Sequence, residues 1–159
     1  MRKYSFPPVY APDARILLLG TLPGEVSLKA SQYYAHPRNQ FWRLLGEVLN
    51  TDLATLPYPQ RLERLVAHGV ALWDVVAGAE RQGSLDGAMR AIEYNSLASL
   101  VAELPALRAV GFNGAASYKA RHQLGRADLA CLSLPSSSPA YTRPFEEKLA
   151  GWMVLRDYL

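Results

Sequence analysis

The sequence predicts an α/β fold: a three-layer α/β/α sandwich around a central parallel sheet of about four strands, in one domain spanning residues 1–159. Three observations predict it. Short unbroken apolar runs recur along the chain, as strands buried on both faces do. Helical patterns separate those runs, which calls for parallel pairing through crossovers. Half of the 159 residues are apolar, enough for one core without staples.

ARILLLG, from Ala14 to Gly20, is the first run and ends in glycine. A long loop from Thr21 to Arg38 follows. A helix is then expected from about Gln40 to Leu49, because Phe41, Leu44, Leu45 and Val48 recur at i, i+3, i+4 and i+7. A second helix follows Pro59, with Leu62, Leu65 and Val66 on one face, and stops at Gly69. VALWDVV, from Val70 to Val76, reads as the second strand, and Gly78 to Gly87 as an exposed loop. Ser96 is placed to cap a helix running to Leu104. LRAVGF (Leu107 to Phe112) gives the third strand, Ala115 to Leu124 a helix, and DLACLSL (Asp128 to Leu134) the fourth strand. After a Pro/Ser-rich turn, Phe145 to Tyr158 forms a last amphipathic helix through Leu149, Trp152, Met153 and Leu155.

Composition narrows the function classes. Proline, tyrosine and aspartate interrupt the N-terminal MRKYSFPPVYAPD where a signal peptide needs apolar residues. No apolar run approaches membrane-spanning length. The expectation is a soluble, cytoplasmic monomer with no membrane partner. Cys131 stands alone, which rules out an internal disulfide and a four-cysteine zinc or iron–sulfur site, and in LACLSL it reads as a small core residue. His36, His68 and His122 lack ligand spacing, so neither metal nor cofactor is expected. The net charge is +3, with 13 arginines against 4 lysines, a bias that suits phosphate and stacked-base recognition and also tracks genome composition.

In open parallel sheets, ligands bind beyond the carboxyl ends of the strands. That rule selects the loops after strands one, three and four, and these are the chemically richest segments of the chain. The first opens with Gly20-Thr21-Leu22-Pro23-Gly24, where two glycines and a proline leave backbone amides free to face an oxygen. A plain strand-to-loop turn also accounts for it, and the P-loop ending is absent. The same loop closes with QYYAHPRNQFW, Gln32 to Trp42. Its aromatic rings beside amide and basic side chains suit a pocket that stacks a base and hydrogen-bonds its edge. Phe41 and Trp42 also fit helix core, and Asn39 stands where an N-cap belongs. The third loop, Phe112-Asn113-Gly114, offers one ring and one amide, or simply a turn. The fourth, Leu134 to Arg143, sets Ser136, Ser137 and Ser138 between prolines, suited to phosphate oxygens or to a rigid polar turn.

Together these segments resemble the uracil-DNA glycosylase superfamily. The likeness is greatest to its hypoxanthine-DNA glycosylase branch, whose first motif has the form Gly-x-x-Pro-Gly…Tyr-Tyr-Ala-x-Pro-x-Asn-x-Phe-Trp and runs here from Gly20 to Trp42. The superfamily's second motif, a Pro-Ser turn after the last strand, is similar to Leu134 to Ala140. Leu22 stands where the uracil and mismatch-specific branches carry an acid or amide to hold water, and Leu134 stands where uracil enzymes carry histidine.

The resemblance implies a monofunctional DNA glycosylase in base excision repair. Its partner would be double-stranded DNA holding a damaged base, with single-stranded DNA as a second substrate form; hypoxanthine would be the favoured base and uracil the next. It implies Asn39 as the catalytic residue that orients water. Gly20, Thr21, Leu22, Pro23, Gly24, Tyr34, Phe41 and Asn113 would bind the base. Ser136, Ser137, Ser138, Tyr141 and Arg143 would bind DNA, Tyr141 or Arg143 filling the gap left in the duplex. Two alternatives stay open: a uracil/thymine mismatch glycosylase, and a noncatalytic α/β module that binds a nucleotide.

Overall fold

A computed structural model describes all 159 residues. Along the chain run β1 (Arg2–Tyr4), β2 (Ile16–Gly20), α1 (Glu25–Ala30), α2 (Phe41–Leu49), α3 (Tyr58–Ala67), β3 (Val70–Asp74), β4 (Val76–Glu80) and β5 (Arg90–Tyr94). Then follow α4 (Leu97–Ala102), β6 (Ala109–Asn113), α5 (Ala115–Tyr118), β7 (Ala130–Leu134) and α6 (Phe145–Trp152).

The central sheet has four parallel strands in the order β3-β2-β6-β7. Alternate residues of β2 serve opposite faces, as strand geometry requires. Leu17 and Leu19 join a core with Leu97, Val101 and Leu124, whereas Ile16 and Leu18 join another with Phe41, Leu45 and Trp152. Helices α2, α3 and α6 therefore cover one face, and α4 with α5 the other, giving the expected three layers. The chain leaves β2 for β3 on one side and later returns to place β6 on the other. The space between β2 and β6 is thus the topological switch point, where such sheets open a crevice.

Several expectations need correction. VALWDVV is not one strand: β3 ends at Asp74 and the chain bends away, with Val75 and Val76 donating to the carbonyls of Gly20 and Thr21 at 2.8 and 3.0 Å. Val76 then opens β4, the middle of an antiparallel sheet of order β1-β4-β5 that the periodicity did not announce. β5 is exposed at every residue, so no apolar alternation marks it. Residues Gly78 to Glu80, expected in a loop, belong to β4. The long loop after β2 holds the short helix α1, and the helices expected over Ala115–Leu124 and Phe145–Tyr158 tighten into 3₁₀ turns at Arg121–Leu124 and Met153–Tyr158.

Candidate active site

Three of the parallel strands, and the turn after the fourth, deliver residues to one cavity of about 460 Å³ at the strands' carboxyl ends. Its lining includes Gly20 from β2, Asp74 from β3, Asn113 from β6 and Ser136 from the turn after β7. Thr21, Leu22, Pro23, Gly24, Tyr34, Asn39, Ser137, Ser138 and Tyr141 complete the expected set. Phe41 and Arg143 stand apart. Phe41 is wholly buried behind the cavity, and Arg143 lies on the surface, 3.7 Å from Glu147.

The Gly20–Gly24 segment presents its amides because its carbonyls are drawn the other way. Arg81, 2 % exposed, donates to the carbonyl oxygens of Leu22 and Pro23 from behind the segment. In a trans peptide the carbonyl and the following N–H point oppositely, so the Gly24 N–H turns away from Arg81. The N–H groups of Thr21, Leu22 and Gly24 have no hydrogen-bond acceptor within the protein. Gly20 itself leaves no room for a side chain. A Cβ there would stand 2.5 Å from the Tyr34 hydroxyl and 2.7 Å from Asp74 Oδ1.

Tyr34 forms a flat wall. Its ring stacks on Phe41 at 4.0 Å between centroids and 13° between planes, so Phe41 carries the wall without lining the cavity. Tyr34 holds φ at 55°, in the left-handed region where a bulky residue costs about 1–3 kcal/mol. Its hydroxyl is buried and has no hydrogen-bond partner. Burial and the Asp74 carboxyl push that hydroxyl above the usual tyrosine range, leaving it a donor.

The N-cap of α2 is Gln40, not Asn39 as expected: Asn39 stands one residue earlier and braces the helix start from there. Its side-chain oxygen accepts from the Phe41 N–H at 3.0 Å, satisfying one of the amides that open α2, while the residue also lines the cavity. An amide carbonyl has a second lone pair, and that one is not committed.

The serine turn is tied to β6 and to the first motif. Asn113 and Ser137 bond reciprocally: Nδ2 donates to Ser137 Oγ at 2.8 Å and Oδ1 accepts from the Ser137 N–H at 2.9 Å. The Ser137 carbonyl accepts from the Gln40 N–H at 3.0 Å. Ser137 is fully buried, so its hydroxyl serves this junction. Ser136 and Ser138 keep hydroxyls that accept from the amides of Ser138 and Ala140, leaving their O–H free to donate outward.

Four residues that the sequence reading passed over line the site or brace it. Asp74 lies on the cavity floor with Oδ2 buried and unpartnered; burial, helped by the Asp86 carboxylate and opposed by Arg81, pushes it up to about 7. A charge inside an apolar strand run, at a strand's carboxyl end, was the signal available for it. Arg81 and Asp86 lie in the stretch after β4, and Asp86 accepts from the Thr21 hydroxyl at 3.0 Å. Lys148, 1 % exposed, donates to the Ser138 carbonyl at 3.1 Å and stands 5.5 Å from the Tyr141 ring centre. Only contacts made in three dimensions reveal these last three.

Fold and cavity define a class: an α/β/α protein with a cavity beyond the carboxyl ends of its parallel strands, walled by an aromatic ring and edged by unpaired polar groups. The chain belongs to the uracil DNA glycosylase superfamily, whose model matches residues 7–156. It is 40% identical over 152 residues to a Methanosarcina barkeri protein named hypoxanthine DNA glycosylase, and 34% identical to one of the same name from Methanosarcina acetivorans; each match covers 96% of both chains. The solution NMR structure of a candidate uracil DNA glycosylase from Methanosarcina acetivorans superposes with a TM-score of 0.89 at 33% identity, covering 99% of each chain.

Proposed function

We propose that this protein is a monofunctional DNA glycosylase that removes hypoxanthine from DNA, acting on a base turned out of the duplex. The observation that carries the reading is the convergence of unpaired amides, a stacking wall and an uncommitted asparagine oxygen on one cavity. The relatives named for hypoxanthine release support the choice of base. A volume of 460 Å³ lies within the range of small-ligand sites and admits a bicyclic base.

Hydrolysis breaks the bond between the purine N9 and the sugar C1′. The bonding electron pair leaves with the base, the sugar passes through an oxocarbenium-like state, and a water oxygen bonds to C1′. Donors fixed in advance around the departing base stabilise its developing charge. The N–H groups of Thr21, Leu22 and Gly24, the Tyr34 hydroxyl and a protonated Asp74 are such donors. A protonated carboxyl donates to a base oxygen, whereas its ionised form repels the departing anion. The Asn39 oxygen, held in place by the Phe41 amide, orients the water; an amide is too weak a base to ionise it, and the water's proton passes to solvent after attack. Ser136 and Ser138 hold flanking phosphates and set register without reading sequence.

The partner in this reading is damaged duplex DNA, met by a cytoplasmic monomer. Uracil is the second base, because a cavity that admits a purine also admits a pyrimidine. The decisive experiment is base release from duplexes carrying one hypoxanthine or one uracil. Hypoxanthine release by the native chain supports the proposal; uracil release alone selects the second reading; binding of free nucleotide without release of either base selects a noncatalytic module.

A further inference from the structure

Each amide that the Gly20–Gly24 segment offers is aimed by whatever holds the carbonyl before it. In a trans peptide the carbonyl and the following N–H point oppositely, so pinning one from behind turns the other toward the cavity. The Gly20 carbonyl accepts from the Val75 N–H at 2.8 Å, which sets the Thr21 N–H. The Thr21 carbonyl accepts from the Val76 N–H at 3.0 Å, which sets the Leu22 N–H. Pro23 has no N–H to set. The last donor, the Gly24 N–H, follows the Pro23 carbonyl, and that oxygen is held by a side chain, Arg81, instead of by the backbone.

Arg81 is buried, yet it joins none of the ion pairs, which are Arg2–Glu93, Lys3–Glu25, Arg126–Asp128 and Arg143–Glu147. A guanidinium taken out of water is ordinarily paired, because an uncompensated buried charge is costly. Here its donors go to carbonyls alone: Leu22 at 3.5 Å, Pro23, and Gly83 at 2.9 Å. Asp86 bears on it from farther away and accepts its own hydrogen bond from Thr21. A second buried cation, Lys3 of β1, donates to the same Gly83 oxygen at 2.6 Å and so fixes the turn against which Arg81 rests.

We propose that Arg81 is a positioning residue for base release: it aims the Gly24 N–H at the departing base and backs the donor segment with a buried positive charge. Arg81 does not line the cavity, so it acts through the segment without touching the base. Its effect belongs to the transition state, because a base still bonded to its sugar lacks the negative charge that the amide and the guanidinium stabilise. The inference rests on the glycosylase reading and names the residue that holds its last donor.

The test is single-turnover release by the native protein, Arg81→Met and Arg81→Lys, from duplexes carrying hypoxanthine or 8-azahypoxanthine. In the second base a nitrogen replaces C8–H, so the departing anion is more stable and needs less help. Arg81→Met is expected to lose about 10²-fold with hypoxanthine and less than about tenfold with the aza base. Its affinity for a duplex holding a stable abasic analogue, which has no base to meet, stays within about threefold of native. Arg81→Lys keeps the charge but not the planar fork, and is expected to lose about tenfold with hypoxanthine and about twofold with the aza base. Should Arg81→Met fail to fold, Arg81→Lys carries the test by itself. Equal losses on the two bases, native rates, or a loss confined to duplex affinity overturn the assignment of Arg81. A native protein that releases neither base overturns the glycosylase reading instead, so the two failures are told apart.

Discussion

The side-chain oxygen of Asn39 accepts a hydrogen bond from the Phe41 amide at 3.0 Å, so the residue that faces the cavity is oriented by the helix it helps to start. Bracing the helix start and orienting water are therefore separable by substitution. Asn39→Ala should lower stability by about 0.5–1.5 kcal/mol, the usual net worth of one hydrogen bond. It should also cut single-turnover release by roughly 10²-fold or more while leaving duplex affinity nearly unchanged. Asn39→Asp keeps an oxygen for the Phe41 amide and should recover most of the melting temperature. A rate for Asn39→Ala close to native would leave Asn39 only the role of bracing the first turn of α2.

Gly20→Ala tests the closest approach in the site. The added methyl meets the Tyr34 hydroxyl and Asp74 Oδ1, both on side chains anchored by burial. Overpacking of this kind costs about 1–3 kcal/mol and shifts the groups it strikes. Base release should fall further than the change in melting temperature accounts for, measured at a temperature where the variant remains folded. Retained activity would mean that Tyr34 and Asp74 can move without consequence.

Asp74 makes both stability and rate depend on pH. Its carboxyl is pushed from an ordinary 3.8 up to about 7 by burial and by Asp86, against the opposing pull of Arg81. Between those values the folded protein holds a proton that the unfolded chain has released, so stability declines as pH rises across that window. Asp74→Asn, which cannot ionise, should melt higher than native at pH 8, with the gap closing as pH falls toward 4.

The rate follows the same proton. If protonated Asp74 donates to the departing base, native single-turnover release declines as pH climbs through about 7, and Asp74→Asn flattens that limb. A native profile that rises through the same region would show that the ionised form is the active one.

Asn113 and Ser137 hold the carboxyl end of β6 to the serine turn by two reciprocal bonds. A double-mutant cycle through Asn113→Ala and Ser137→Ala, read by denaturant unfolding, should give a coupling of about 0.5–3 kcal/mol. Each single change should also weaken duplex binding, because Ser136 and Ser138 lose their fixed spacing. Strict additivity in the cycle would mean that the bond from the Asn113 amide to the Ser137 hydroxyl contributes nothing, since the bond from the Ser137 backbone N–H survives Ser137→Ala.

Much of this fold was written in local pattern. ILLLG, VALWD and AVGFN are apolar enough to be buried on both faces, and parallel strands at the centre of a sandwich need that. Phe41, Leu44, Leu45 and Val48 define the buried side of α2 by spacing alone. Asn39, Tyr34 and Gly20 through Gly24 were legible because a strand's carboxyl end marks where to look and because these residues carry the matching motif.

The remainder depended on encounters between distant segments. β1, β4 and β5 are short or exposed, and the pairing of β1 with β4 joins residues as distant as Arg2 and Glu80, which no local period records. Phe41 was expected to bind the base while also fitting helix core; its stacking beneath Tyr34 assigned it to the core. Arg81, Asp86 and Lys148 gain their relation to the cavity only when the β4–β5 connection and α6 close around it. The sequence by itself determined the layers and the strand ends that open the site, because burial and backbone geometry act residue by residue. Only the tertiary structure decided which polar groups lack partners and face the cavity, because hydrogen bonding and desolvation depend on everything brought within a few ångströms.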